Sequence, residues 1–575
     1  MADQKVIIDP MSLELQTLLL NKDGGYNYQQ RRHDPWEETY SFYRDKVVIN
    51  RLTQRQSVHL PMMKLACQTN LASMDDMPVN YFENLDNDKQ AEYFKNEYWR
   101  ITGEDNNFEL QDIVDKKQEW LFGRTFDQWQ VVDGKIKMTV TDPQDILVDR
   151  YCDPYNLHSS RFLIHSHIFM PLSSLEKDKD YDQKAVAELK EWHATNQGLI
   201  KNVTNQRMLT EKNRKMTNMG VPDVDNPILG EVIVELSLHF VFRKEGNGEE
   251  QIWLYVEADD QKILMKRKLE EVIGATKDHF FRNHYPYVTW AGDVEKQDFW
   301  SDGKGDSVRP LNKVLDSWFS QLVENRTLRN FGMHYYDSTI EGFVPSTFNP
   351  IPWGWYGVPG KPDEVMKKVE IPDLSESLDE MNFIMQMIER GTGATATQQG
   401  VQTESRITLG EVELALGQAQ ERSKTVSKFY TQAWLDRGNM FIKLIEAASD
   451  RLDVVKVYKE GKNTQDIYSR EISPKDWITA SGYRCRVWSQ DERNKQSTDT
   501  LQKLNAVKAV MPFNKKLNEV YQRKLLEFAS LTPEDTNAIM QEEKQTVEAM
   551  QQMPGIQPMV PSTTQPIIGP QPAQV

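Results

Sequence analysis

Apolar residues in this chain recur at spacings of three and four through some stretches and at a spacing of two through others. The changes of period mark its parts. Residues 11–21 predict a short helix stopped by Gly24 and Gly25. DPWEETYSFYRDKVV (34–48) predicts a second, with Pro35 in its opening turn and Trp36, Tyr40 and Tyr43 at helical spacing. QAEYFKNEYWRITG (90–103) and ELQDIVDKKQEWLFG (109–123) repeat the pattern, each ending in glycine. From Trp129 the period is two, and QVVDGKIKMTVTDP (130–143) reads as a hairpin turning at Asp133-Gly134. Residues 173–219 are highly charged and short of large apolar groups, which predicts a helix and then an exposed insertion. A β meander follows in VIVELSLHFVF (232–242) and QIWLYVEADDQKILMKRKL (251–269), with a turn at Asp259-Asp260.

Beyond a loop rich in Trp, Asp and Gly (286–306), SVRPLNKVLDSWFSQLVENRTLRNF predicts a helix with Leu311, Leu315, Trp318, Leu322 and Val323 on one face. Residues 342–372 form a knob with six prolines and the aromatic group Trp353, Trp355 and Tyr356. A second helix carries Leu378, Met381, Ile384, Met385 and Ile388 on its apolar side. An uncharged run, GTGATATQQGVQ (391–402), then feeds the longest helical pattern, Ile407 to Ala448, about 60 Å if straight. Gly410, Gly417 and Gly438 argue for a kink in it. Strand-like KVYKEG and YRCRVWS, three helical patterns (495–510, 515–530, 533–552) and a Pro/Gln-rich tail complete the chain. Helices and antiparallel strands are segregated, which makes the class α+β.

At 575 residues the chain is too long for one ordinary core. Its hydrophobic share of 39% is low, which fits an assembling or elongated protein and equally a compact core with disordered ends. A formal charge of −17 argues against gripping nucleic acid over the whole surface, but not against a surface past which DNA slides. Cys67, Cys152 and Cys485 are far apart, so neither a disulfide framework nor a zinc site is suggested, and a reducing compartment is expected. The N-terminus lacks the basic start of a signal peptide, and no stretch is apolar enough to cross a bilayer; a soluble, intracellular product is expected.

Candidate chemistry is sparse. SDGKGDS (301–307) has Gly305 where a phosphate loop needs Ser or Thr, so it reads instead as a helix cap through Asp306 or Ser307. Asp142, Asp145, Asp149 and Asp153 are dense enough to suggest a metal-dependent hydrolase or nuclease, yet they lack calcium-loop spacing and suit turns. His165 and His167 would share one strand face, as zinc ligands sometimes do, without a nearby Cys or Glu partner. Trp353 and Trp355 suit either a small core or a contact surface. No catalytic residue, metal or cofactor is indicated, and a non-enzyme is expected.

Four features together, SDGKGDSVRPLNKVLDSW, the helix–knob–helix insertion, TATQQGVQTESR before the long helix, and YRCRVWSQDERNKQSTDTLQKL, resemble the portal proteins (head-to-tail connectors) of tailed bacteriophages, the short-tailed type above all. The resemblance covers about Pro35 to Gln552. It implies a portal fold, ring-forming as a homododecamer, with an α/β wing, a two-helix stem, a small clip, a long kinked tunnel helix and a helical crown. Carried onto this chain, it gives an N-terminal arm (1–25), the wing (26–304), stem helix 1 (305–332), the clip (333–373) and stem helix 2 (374–391). The tunnel loop (392–405), long helix (406–450), wing return strands (451–494), crown (495–552) and disordered tail (553–575) follow. The tunnel-loop residues would be Thr395, Thr397, Gln398, Gln399 and Gln402 with Arg406, giving weak contacts to passing phosphates; a plain surface linker is the other reading of that loop. The clip would present Trp353, Trp355, Lys361, Lys367 and Lys368, and the stem interface Lys313, Asp316, Glu324, Arg326 and Arg329. Implied partners are other copies of the chain, the major capsid protein, scaffolding protein, the terminase large subunit, the head-to-tail adaptor and double-stranded DNA held without sequence preference. The implied location is the capsid vertex of the virion, after assembly in the host cytoplasm. The insertion 173–219 has no counterpart in the resemblance, and another virion adaptor is a further alternative.

Overall fold

The computed structural model describes residues 10–45, 58–73, 77–86, 88–196, 232–244, 250–274, 280–331, 334–336, 366–368, 377–393, 409–460, 467–472 and 481–488, and singly or in short runs 339, 341, 361, 502–507, 518, 520–522, 525 and 539. The chain divides into two compact units, residues 1–86 with 96–490, and residues 87–95 with 491–575. In the second unit, 502–507 are helical; most of the three predicted terminal helices lies outside the described residues.

The larger unit is α+β. Its main sheet is an antiparallel meander of β4 (Ile146–Val148), β5 (Phe162–Pro171), β6 (Ile233–Lys244), β7 (Glu250–Ala258) and β8 (Lys262–Lys268), side by side in chain order. Asp259 and Asp260 take positive φ (50° and 58°) in the tight turn joining β7 to β8, which asparagine-like side chains tolerate best after glycine. Alternation sends Val234, Leu236, Val256, Ala258 and Leu264 to one face, where α5 (Leu172–Lys177) and α6 (Gln183–Asn196) cover them with Leu175, Ala185, Val186 and Leu189. The predicted charged helix is therefore α6, with one apolar face packed through Ala185, Val186 and Leu189. Tyr255 and Ile263 point to the other face, against Leu15 and Leu18 of α1 (Pro10–Tyr43).

α1 is one continuous helix through Gly24, Gly25 and Pro35, not the two predicted. The reason is tertiary. Gly25 lies so close to β4 that a Cβ there would sit 2.9 Å from Leu147 Cβ, so this glycine is a point of close approach instead of a stop. Lys22 donates to Asp260 (2.6 Å) and Ser237 (2.9 Å), and Gln29 donates to the carbonyls of Pro143 (2.7 Å) and Ile146 (2.9 Å). These bonds hold the helix straight across its weak middle.

A second sheet pairs β3 (Lys135–Thr141), β2 (Thr125–Val132) and β9 (Tyr287–Trp290). Its hairpin turns at Asp133-Gly134, both with positive φ, as the sequence predicts. β1 (Val79–Asn84) pairs with β14 (Tyr483–Trp488) and β12 (Val455–Glu460) with β13 (Ile467–Ile472), so the return strands close on partners far back in the chain or just ahead. The core between these sheets is aromatic: Phe82, Trp99 of α3 (Lys89–Asn106), Phe108 of α4 (Phe108–Phe122), Trp129, and Trp434 and Phe441 of the long helix. α2 (Met62–Ser73), α8 (Lys304–Phe331) and α9 (Ser377–Thr392) pack together, and α10 (Leu409–Ala448) runs unbroken through all three of its glycines. Among the described residues, the one α-helix between α6 and α8 is the short α7 (Leu269–Ile273).

The two adjacent glycines of α1 should answer substitution with opposite signs. Gly24 faces open space, so Gly24→Ala should raise stability by about 1 kcal/mol through helix propensity. Gly25→Val should lower it by about 2 kcal/mol by overpacking against Leu147. Denaturant unfolding of the two variants measures both.

Candidate functional site

The long helix α10 buries Tyr430, Ala433, Trp434, Arg437, Met440, Phe441 and Leu444 along one stripe, and one of these is charged. Arg437 is fully buried. Its guanidinium donates to Asp127 of β2 (2.7 Å) and Asp115 of α4 (2.5 Å), lies 3.7 Å from Asp112 of α4 and stacks over the Trp434 ring. Tyr430 donates to Asp112 (2.6 Å), which also pairs with Lys116 (2.7 Å). Thr125 (2.6 Å) and Trp290 (2.7 Å) donate to the two oxygens of Asp115. Two cations and three carboxylates thus tie α10 to α4, β2 and β9 inside the core.

The carboxylates outnumber the cations, and the excess is felt at Asp127. Burial, with Asp115 and Asp112 adding repulsion, pushes its carboxyl above the usual carboxylate range against the pull of Arg437. Glu119 is pushed up to about 7 by burial, although Lys304 and the Gly292 N–H (2.9 Å) favour its charged form. Gly292 has no room for a side chain, since a Cβ would lie 2.2 Å from that carboxylate and 3.1 Å from Val426 of α10. Gly438 likewise lets β14 approach, its place for a Cβ taken by the Cys485 sulfur. Gly438, a weak point of α10 by helix propensity, is thus a packing surface.

The predicted tunnel-loop residues Thr395, Thr397, Gln398, Gln399, Gln402 and Arg406, and the clip residues Trp353 and Trp355, lie outside the described residues. Their frame is described. α9 ends in a left-handed cap at Gly393 (φ 77°), whose N–H bonds to the Glu389 carbonyl, and α10 resumes at Leu409. The ends of the knob are joined by β10 (His334–Tyr336) pairing antiparallel with β11 (Met366–Lys368), which sets Lys367 opposite Tyr335 and Lys368 opposite His334. Lys361 and Lys367 are exposed.

Of the residues predicted for a stem interface, Arg326 and Arg329 are exposed and Glu324 is half-buried, while Lys313 pairs with Glu38 of α1. Asp316 is buried: it accepts from His59 (2.6 Å) and from the Leu60 N–H (2.9 Å). With Asn312, which accepts from the Met63 N–H, and Ser320, which accepts from the Val58 N–H, it forms a polar row that docks the segment leading into α2. The buried face of α8 is thus Val308, Asn312, Leu315 and Asp316. Of the expected apolar face, Leu315 is buried and Leu311, Trp318, Leu322 and Val323 are half-buried.

The aspartate cluster is spent on local structure. Asp142 caps a single 3₁₀ turn through the Gln144 N–H, Asp149 and Asp153 accept from the N–H groups of Tyr151 and Tyr155, and Asp145 pairs with His167 (2.9 Å). His167 sits in a β-bulge with φ 61°, which breaks the alternation on which a face shared with His165 depended. His165 instead meets the Tyr287 hydroxyl (2.9 Å), and burial pushes its imidazole down to about 4. Among the described residues no group of His, Cys, Asp and Glu is arranged to hold a metal ion. At the start of α8, Asp306 accepts from the Gly303 N–H (3.1 Å) and so caps the helix, while Ser307 donates to the Lys304 carbonyl.

A helix, a paired-strand excursion, a second helix, a connecting run and a 40-residue helix locked into an α+β body follow one another along the chain. A family model described as the phage SU10 portal protein matches residues 66–511, well over half of the chain. The chain belongs to this portal family. No curated protein matches it. Portal proteins are structural, and the family implies an oligomeric ring at a capsid vertex, associated with capsid and terminase. The matched span leaves out α1, although α1 is bonded to the turn after β7, to the turn before β4 and to the end of α4 through Lys22, Gln29 and Trp36. No helix among the described residues is long and apolar enough to cross a membrane.

Two outcomes test the anchorage. Arg437→Met leaves Asp115 and Asp127 buried without their cation, so unfolding stability should fall by roughly 3–5 kcal/mol. The folded chain keeps a proton on Glu119 where the unfolded chain has released it. Its contribution is therefore complete below about pH 4 and is lost as the pH rises through about 7. Urea titrations across that window should show a shallower fall for the Glu119→Gln variant than for the parent chain.

Proposed function

We propose that this chain forms the portal ring of a short-tailed phage, a dodecamer at one capsid vertex. Double-stranded DNA passes through it in packaging and ejection, and terminase and then a tail adaptor dock on the clip. The observation that carries the reading is the order of elements within the matched span. α8 and α9 bracket an excursion closed by β10 and β11, and the run 394–408 joins α9 to a helix anchored by Arg437. A loop that faces moving DNA is useful on a fixed mount, and α10 supplies one. Thr395, Thr397, Gln398, Gln399 and Gln402 offer phosphates contacts without a net charge to hold them, and Arg406 is offset by Glu404. Nucleation with scaffold and major capsid protein in the host cytoplasm follows from the same reading.

Negative-stain electron microscopy of the purified chain, with light scattering for mass, tests it. Rings with a hole wide enough for duplex DNA are expected; a chain that stays monomeric even with its scaffold would sink the reading. Thr397→Lys with Gln398→Lys places two cations per subunit in the channel and should slow DNA ejection from assembled particles. Added salt should relieve that slowing, because each phosphate contact releases counterions.

A further inference from the structure

Helix α4 is folded with its charges inward. Asp112, Asp115, Lys116 and Glu119 are buried, and Arg437 fixes two of them in place. A helix has one rotation, so the same constraint turns Leu110, Ile113 and Val114 outward, at i, i+3 and i+4. They are 64%, 49% and 39% exposed, a contiguous apolar stripe on the N-terminal half of the helix. Farther along, α2 packs against α4 and Lys117 lies over the Tyr43 ring of α1.

We propose that this stripe is the seat of a neighbouring copy of the chain in the ring. The inference rests on the portal reading and adds a surface to it. Three observations choose the occupant. The family implies an oligomeric ring, so one surface of each subunit must meet a different surface of the next. Each chain carries a formal charge of −17, so copies repel at a distance and their contact needs a desolvated apolar centre. And the exposed stripe lies on the helix whose opposite side holds Arg437, so the contact between copies bears directly on the mount of the long helix. The stripe does not pair with itself, since ring closure by a heterologous contact requires unlike faces.

The test compares the full-length chain with Ile113→Glu and Leu110→Asp. Both side chains are exposed, so thermal unfolding of the variants should match the parent. The concentration needed for half-assembly, read by light scattering and electron microscopy, should rise about tenfold or more. In parallel, Ile113 is replaced by the photo-crosslinking residue p-benzoylphenylalanine and the assembled protein is irradiated. Ladders of chain multimers are expected, and mass spectrometry of the adduct names the mating surface. Parent and variants forming rings at the same concentration would overturn the inference and leave the portal reading standing. So would an adduct within one chain, or one to capsid or scaffold protein in assembled particles. A parent chain that never forms rings, with or without scaffold, overturns both. A variant that fails to assemble because it is unfolded shows itself in the melting curve, and the cross-link then decides.

Discussion

One buried cation fixes the long helix α10 against α4 and β2. Among the described side chains that α10 buries, Arg437 is the one that carries a charge, and it is satisfied by Asp127 from a strand and by Asp115 from a helix. Removing a cation of this kind from water costs several kcal/mol, and the cost is offset only because two carboxylates and an indole face are already held around it. Those carboxylates are themselves positioned by Thr125, Trp290 and Tyr430, so the bond network joins α4, β2, β9 and α10 at a single point. An apolar contact would hold α10 against the body equally well but would let it slide or rotate. A forked guanidinium between two fixed acceptors does not.

That constraint propagates to both sides of α4. Its inner side must be charged to receive Arg437, so its apolar residues are left outside. The helix is thereby ordered as a mount on one side and a candidate contact on the other. The same logic appears on α8, where a buried polar row of Asn312, Asp316 and Ser320 takes up the backbone of 58–63. In both helices the buried polar groups fix register and rotation, which a purely apolar face specifies less sharply.

α1 shows a different economy. It lies outside the matched family span, yet it covers one face of the meander and reaches the start of α8 through Arg32, which pairs with Asp306 (2.5 Å). Its middle is weak by propensity, with two glycines and later a proline, and is held by side-chain bonds to the sheet instead of by its own turns. Gly25 is where the helix touches β4, and that contact makes the continuous helix possible.

Period and turn chemistry along the chain were enough to place the meander, the Asp133-Gly134 hairpin, the two helices around the knob and the long helix, because each is a local pattern of burial or backbone sign. The loose motifs at 301–318, 395–406 and 483–504 were enough to point to the portal family. What periodicity could not decide was which side of α4 faces in, because Leu110, Ile113 and Val114 are the residues that a pattern reading assigns to a core. Nor could it decide that Gly24 and Gly25 continue a helix, or that Asp316 is internal. Each of these depends on a partner far away in sequence: Arg437 at α10, Leu147 at β4, His59 ahead of α2. A buried charge goes where its counter-charge is, and only the folded chain brings the two together.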